Sequence, residues 1–338
     1  MSNENESRVY QLPKSFREGT ENSVRLISPY CQLTGRQYKA SFHNHTFKSG
    51  MVTAAPSVVV GIYRLCGVEV VAVTEHDRRL REGGIAAGNV MWREQDWNNP
   101  YDDALLIKGF EASFPKDHVL ILGCMPSDLP LTAKEPGFIA AARERGAYTV
   151  LSHPARWNDT PEHVLDDPEL SQCDGLEVYS GARVIQGAEG SVAARLWDAC
   201  LSQGLKLFGF ASSDCHTYDF TAPQRPTNGW TIVWLEELTE EAVFAALRAG
   251  RFYASSGLEV DGVRIEDESI TVEAAQAERI RFIGAGGQLL KEVAGSTGTY
   301  RPQVVDRYVR VELDGPGTPF PGSGVPTQAW LQPVWIEA

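Results

Sequence analysis

Val68-Glu69-Val70-Val71-Ala72-Val73-Thr74-Glu75-His76-Asp77 is the stretch on which the reading of the fold turns. From Val70 to Val73 it is apolar on successive residues, as a strand is when helices cover both faces of a parallel sheet. It then breaks into titratable side chains. Ala104-Leu105-Leu106-Ile107 repeats the apolar run ahead of Glu111 and His118. Tyr148-Thr149-Val150-Leu151 does so ahead of Ser152-His153-Pro154, and Leu205 to Ala211 ahead of Ser213-Asp214-Cys215-His216. Between these runs lie helical stripes: Val58, Val59, Ile62, Leu65 and Cys66 after Pro56, then Phe138 to Arg145, then Ala193 to Leu201. Gly67, Gly146, Gly204 and Gly250 stand where helices stop. From about Tyr38 to Tyr253 this is repeated helix-to-strand traffic, and a parallel barrel follows from it. An open doubly wound sheet shows similar periodicity. In a barrel, reactive groups gather at the C-terminal strand ends, which is where these motifs stand.

After about Ser256 the texture changes to short alternating segments, Ile270-Thr271-Val272, Arg279 to Ile283 and Tyr308 to Leu313, which predict an all-β appendage. Gly315 to Pro326 reads as a long loop before a last strand, Ala329 to Ile336. The expected organisation is an N-terminal extension, 1–37, an α/β unit, 38–255, and a C-terminal β domain, 256–338.

The 338 residues suffice for a large core, and a 43% hydrophobic content is ordinary for a globular chain. The formal charge of -13 argues against binding nucleic acid or an anionic membrane. No apolar run is long enough to span a bilayer, and Met1-Ser2-Asn3-Glu4-Asn5-Glu6 lacks the character of a secretory signal, so a cytoplasmic location is expected. The scattered cysteines Cys31, Cys66, Cys124, Cys173, Cys200 and Cys215 form no disulfide framework. Cys215 lies between two same-face residues and is expected to point away from them, into packing.

His43 and His45, in Ser41-Phe42-His43-Asn44-His45-Thr46, alternate as residues on one face of an extended segment do, so two imidazoles can meet one metal ion. Asp214 and His216 repeat that geometry. Six of the seven histidines stand in such motifs. Mixed imidazole and carboxylate ligands suit zinc, manganese or iron, and a carboxylate such as Glu111 can bridge two ions. Each motif also has a plain structural reading. Glu75 and Asp77 are expected to cap a helix or bind water, and His163, in Thr160-Pro161-Glu162-His163, to face solvent. Glu177 is expected to orient ligands from behind. Arg156 and Lys48 follow His153 and His45 closely enough to reach an anionic substrate in the same mouth.

The order of these motifs resembles the PHP (polymerase and histidinol phosphatase) superfamily over roughly Lys39 to His216. Its His-x-His-Thr is matched by His43-Asn44-His45-Thr46, its Thr-Asp-His-Asp by Thr74-Glu75-His76-Asp77, and its Gly-x-Glu by Gly109-Phe110-Glu111. Its next histidine is matched by His118, its His-Pro by His153-Pro154, and its Ser-Asp-x-His by Ser213-Asp214-Cys215-His216. The resemblance implies a distorted (β/α)7 TIM-like barrel with two or three divalent transition-metal ions. It implies one ion on His43, His45, Glu111 and Asp214, a second on Glu111, His118 and His153, and a third on His76 and His216. Phe47-Lys48-Ser49-Gly50-Met51 departs from the family's Ser-Asp-Gly, which often supplies a further ligand. The tail, from Thr239 to Arg251 and on to Gln332-Pro333-Val334-Trp335, is similar to the branch that includes carbaryl hydrolases.

The expected activity is hydrolysis of a small, anionic phosphate ester through a metal-activated hydroxide. Asp214, His216 and His76 are expected to move protons, and Arg156 and Lys48 to bind substrate. The alternatives are carbamate, ester or amide hydrolysis at the same centre, and a metal-bound binding module without turnover. The oligomeric state is left open by the sequence.

Overall fold

The computed structural model describes residues 24–46, 54–77, 93–157, 159–186, 190–216, 218, 226–319 and 324–337. It is a mixed α/β structure built on one large sheet with few helices. Strands β1 (Arg25–Ile27) and β2 (Arg36–Ser41) are followed by helix α1 (Pro56–Leu65) and β3 (Val70–Val73). Next come β4 (Leu105–Ser113), β5 (His118–Leu122), α2 (Phe138–Glu144) and β6 (Tyr148–Ser152). After α3 (Pro154–Trp157), α4 (Pro161–Asp166) and β7 (Gly175–Ser180) come α5 (Ala194–Ser202), β8 (Phe208–Ser212), β9 (Trp230–Leu235), α6 (Glu240–Ala249) and β10 (Phe252–Ser255).

These strands lie in the order β10-β9-β2-β3-β4-β5-β6-β7-β8. The sheet is not the all-parallel one expected. β2 to β4 and β6 to β8 run parallel, while β5 opposes both neighbours and β9 opposes β2 and β10. The cause is local. Only Phe114-Pro115-Lys116-Asp117 joins β4 to β5, too short for a parallel crossover, which takes a dozen residues or more. Beyond the strand ends the chain stays extended: Thr74 N donates to Asn44 O (2.9 Å), and Glu111 N to Glu75 O (3.1 Å). An isolated parallel bridge joins Asn44 to Cys215, with His45 N donating to Cys215 O at 3.0 Å. The segments after β2 and β8, at opposite places in the strand order, therefore meet.

Alternation along the strands sorts the core. Tyr38, Ala40, Val70, Ala72, Ile107, Leu120, Val150 and Phe210 meet in one buried cluster, against which Val243, Phe244, Ala246 and Leu247 of α6 pack. Val71 and Val73, on the other face of β3, pack on Val59, Val60 and Tyr63 of α1. Gly67 and Gly250, with φ of 76° and 71°, take the left-handed conformation that ends α1 and α6.

The chain after Ser255 is β throughout, among the described residues, apart from short 3-10 turns: β11 (Gly262–Glu266), β12 (Ser269–Glu273), β13 (Arg279–Gly284), β14 (Gln288–Ala294), β15 (Thr297–Tyr300), β16 (Tyr308–Asp314), β17 (Gln328–Leu331) and β18 (Val334–Glu337). The expected last strand is thus two, separated at Gln332-Pro333. β11, β12 and β15 form a separate small sheet. β17 pairs with β10, so the large sheet continues into this region, and β1 pairs with β18. No described helix is long and apolar enough to cross a membrane.

Candidate metal centre

Because β2, β3, β4, β6, β7 and β8 share a direction, their C-terminal ends lie on one side, and the reversed β5 brings its first residue, His118, to the same place. Glu111, fully buried in β4, is the centre. Its Oε1 lies 2.7 Å from His118 Nδ1, 3.1 Å from His153 Nε2 and 3.4 Å from His43 Nε2. Its Oε2 lies 2.8 Å from His76 Nδ1 and 3.3 Å from His45 Nε2. Asp214 Oδ1 approaches His43 Nε2 at 3.3 Å, His45 Nε2 at 3.4 Å and His216 Nδ1 at 3.3 Å. All eight residues expected as ligands from the sequence are therefore together.

The second ring of contacts fixes where the imidazole lone pairs point. His43 Nδ1 faces Glu177 Oε1 at 2.8 Å, and His45 Nδ1 faces Glu75 Oε1 at 3.2 Å. The nitrogens facing Glu177 and Glu75 keep their hydrogens, so the Nε2 atoms of His43 and His45, 3.1 Å apart, would be the ones to turn lone pairs to a cation. Without a cation, a proton takes that place. His153 Nδ1 is buried without a hydrogen-bond partner among the described residues, and His76 Nδ1, Glu111 Oε2 and Asp214 Oδ1 are buried with N···O neighbours that lack hydrogen-bond geometry. An orphaned buried polar atom costs about 1–3 kcal/mol. The donor set thus fits divalent cations, and its atoms fall into overlapping groups: His43, His45 and Glu111; His43, His153 and Asp214; His76, Glu111 and His118; His45, His76 and His216.

Protonation in the ion-free centre follows the same charge balance. Burial opposes the His43 cation, but the carboxylates of Glu177, Asp214 and Glu111 outweigh it and raise the imidazole to about 10. Burial lowers His76 to about 4, Glu111 not fully compensating. Burial likewise opposes the ionised forms of Glu111 and Asp214. The surrounding imidazoles, His43 foremost, hold both carboxyls well below the usual range. Two residues of the centre also take the left-handed conformation, with φ of 34° at His153 and 44° at Asp214. Such conformations in non-glycine residues cost about 1–3 kcal/mol and gather where function needs a side chain aimed.

Glu177 does stand behind the ligands, accepting from Ser212 Oγ (2.5 Å) and His153 N (2.7 Å). Glu75 does not face water. It is fully buried and also accepts from Thr46 Oγ1 at 3.1 Å. Asp77 is buried as well, accepting from Ser113 N at 3.3 Å. Asn44, between the two histidines, bolts the strand ends together by donating to Ser41 O and Ala72 O at 2.9 and 2.7 Å. Cys215 packs away from the centre with Val59, Val60 and Tyr63.

His118 and His216, 13% and 21% exposed, face the opening. Beside them the Arg156 guanidinium lies 4.3 Å from the centroid of the Trp157 ring, which itself packs 5.7 Å from the His118 ring. Lys48 lies outside the described residues. Arg183, not singled out in the sequence, sits after β7 with Nη2 3.3 Å from Asp214 Oδ2. Its place beyond a strand end was the signal available. His163 does not simply face solvent, since its Nε2 lies 2.9 Å from Asp117 Oδ2.

No protein-family model matches the chain, and a search of curated proteins returns no match. Among solved structures it is similar to a lesion-specific endonuclease from Pyrococcus furiosus, 14% identical with a TM-score of 0.40, covering 63% of this chain and 56% of that one. It is also similar to a two-domain protein containing a predicted PHP-like metal-dependent phosphoesterase from Bacteroides vulgatus. That likeness is 17% identical with a TM-score of 0.49 and covers 93% of this chain and 98% of that one. Likenesses this distant carry no argument about chemistry.

Proposed function

We propose that this chain is a metal-dependent hydrolase of small phosphate esters, with β2 to β8 as a distorted (β/α)7 TIM-like barrel closed at the Asn44–Cys215 bridge. The observation that carries the reading is Glu111, whose two oxygens have five imidazole nitrogens within 3.4 Å. Divalent zinc, manganese or iron ions bound there would acidify water and neutralise charge on the substrate's oxygens. His43, His45, Glu111 and Asp214 would hold one ion, Glu111, His118 and His153 another, and His76 with His216 a third. Asp214 takes the proton from the attacking water. When the third ion is not bound, His216, beside Asp214 and partly exposed, or His76 delivers one to the leaving group. Arg183 and Arg156, with Lys48, bind the anionic oxygens, the planar guanidinium suiting a phosphate bidentately. The division into units 38–255 and 256–338 belongs to this reading, as do a cytoplasmic location and a small-molecule rather than nucleic-acid substrate.

A second reading has one observation in its favour. Trp157, 37% exposed at the mouth, offers an aryl-sized surface, which suits an aryl carbamate or ester. Metal-loaded protein assayed on nitrophenyl phosphate, a phosphodiester and an aryl carbamate separates the two. His43→Ala and Asp214→Ala are expected to lower kcat on the preferred substrate by at least about 100-fold. Unchanged turnover in folded variants with reduced metal content defeats the proposal, and metal uptake without turnover on any substrate identifies a binding module instead.

A further inference from the structure

We propose that Asp117, Asp159 and His163 form a separate divalent-cation site at the rim of the mouth, taking a transition metal such as Mn2+ or Zn2+. One ligand atom from each lies within 4.8 Å of the other two. Asp117 is 3% exposed and stands in the β4–β5 turn, while Asp159 and His163 follow α3 and open α4. His163 Nε2 meets only one oxygen of this set, Asp117 Oδ2, at 2.9 Å. Asp117 Oδ1 and Asp159 Oδ2 are both buried, and neither has a hydrogen-bond partner among the described residues. An imidazolium on His163 balances one negative charge and Lys116 offsets part of the second, yet burial and Asp117 still raise the Asp159 carboxyl to about 7, so the pair is short of positive charge. A cation accepts from all three residues at once, and an oxygen-rich set with one imidazole suits Mn2+ or Zn2+.

Placement gives the site a consequence. It ties the residue before His118 to the segment after His153, and that segment carries Arg156 and Trp157. An ion there clamps the Arg156–Trp157 pair over His118, while standing apart from the ions around Glu111. The inference does not depend on what the central site hydrolyses.

The test counts ions. Protein loaded with Mn2+ or Zn2+ and desalted is measured by elemental analysis as wild type, His163→Gln, Asp159→Asn and the double variant His43→Ala/Asp214→Ala. His163→Gln and Asp159→Asn are each expected to lose one ion per chain with an unchanged circular dichroism spectrum. The central double variant is expected to lose the ion of His43, His45, Glu111 and Asp214, and His163→Gln added to it to lose one ion more and to lower its metal-dependent rise in Tm. Rim variants that load as many ions as wild type overturn the proposal, and so does a metal response in the central double variant that is indifferent to His163. Failure of the central reading appears differently, as full metal content in His43→Ala.

Discussion

At the scale of single residues, the site consists of acceptors that need positive charge at their centre. In the ion-free protein a proton on His43 supplies part of it. An imidazole raised from its usual 6.5 to about 10 adds stability to the fold that is fully present below pH 6.5 and lost as the pH rises through about 10. His76, lowered to about 4, acts in the opposite sense but only below 6.5, so the upper window belongs to His43 and to His45, which Asp214, Glu111 and Glu75 raise well above 6.5 against its burial. The Tm of metal-free protein is therefore expected to fall between pH 6.5 and 10, and saturating Zn2+ or Mn2+ to flatten the fall, because a cation replaces the proton. Calorimetry across that range checks it, and a flat metal-free profile contradicts it. The clustering of these side chains was legible because His43-x-His45 and Asp214-x-His216 each put two donors on one face. Glu75 and Arg183 were not. A lone carboxylate beside His76 reads equally as a cap, and nothing local in Gly181-Ala182-Arg183 shows that β7 ends beside Asp214.

At the scale of elements, the helix stops and buried strands were readable because glycine and apolar periodicity are local signals. Strand direction was not, since the reversal of β5 depends on how four residues turn, and β9 pairs with a strand nearly two hundred residues earlier. Packing between elements sets a further constraint. An added Cβ at Gly209 of β8 would lie 2.7 Å from the Trp197 ring of α5, and that indole is anchored through Nε1 to Leu207 O at 2.9 Å. The ring cannot retreat without losing its bond. Gly209→Ala is expected to cost about 1–3 kcal/mol, read from the midpoint of urea unfolding, as overpacking in a filled core does. A shift within error would mean that α5 slides freely on the sheet.

At the scale of the whole molecule, the two textures seen in the sequence are joined by polar bonds that no composition reveals. Gln332 accepts from Gly209 N and donates to Gly209 O, both at 2.8 Å, covering the outer edge of β8 with the segment between β17 and β18. Tyr30 donates to Phe252 O and accepts from Gln332 N, so the N-terminal extension is part of the same joint. Deepest is Arg310 of β16, 2% exposed, whose Nε and Nη2 donate to Asp198 of α5 at 2.6 and 2.5 Å while Nη1 donates to Glu312 at 2.6 Å. Burial opposes its charge, but Glu312 and Asp198 outweigh that and raise it further above its usual value. Removing one partner of a buried ion pair costs about 3–5 kcal/mol, because the other charge stays buried. Asp198→Ala is discounted to about 3 kcal/mol here, since Glu312 remains. If α5 and β16 unfold together, that loss shifts one cooperative transition seen alike by tryptophan fluorescence and far-ultraviolet circular dichroism. Two transitions, only the second of them moved by the substitution, would show instead that the β region after Ser256 unfolds independently of the metal-binding half.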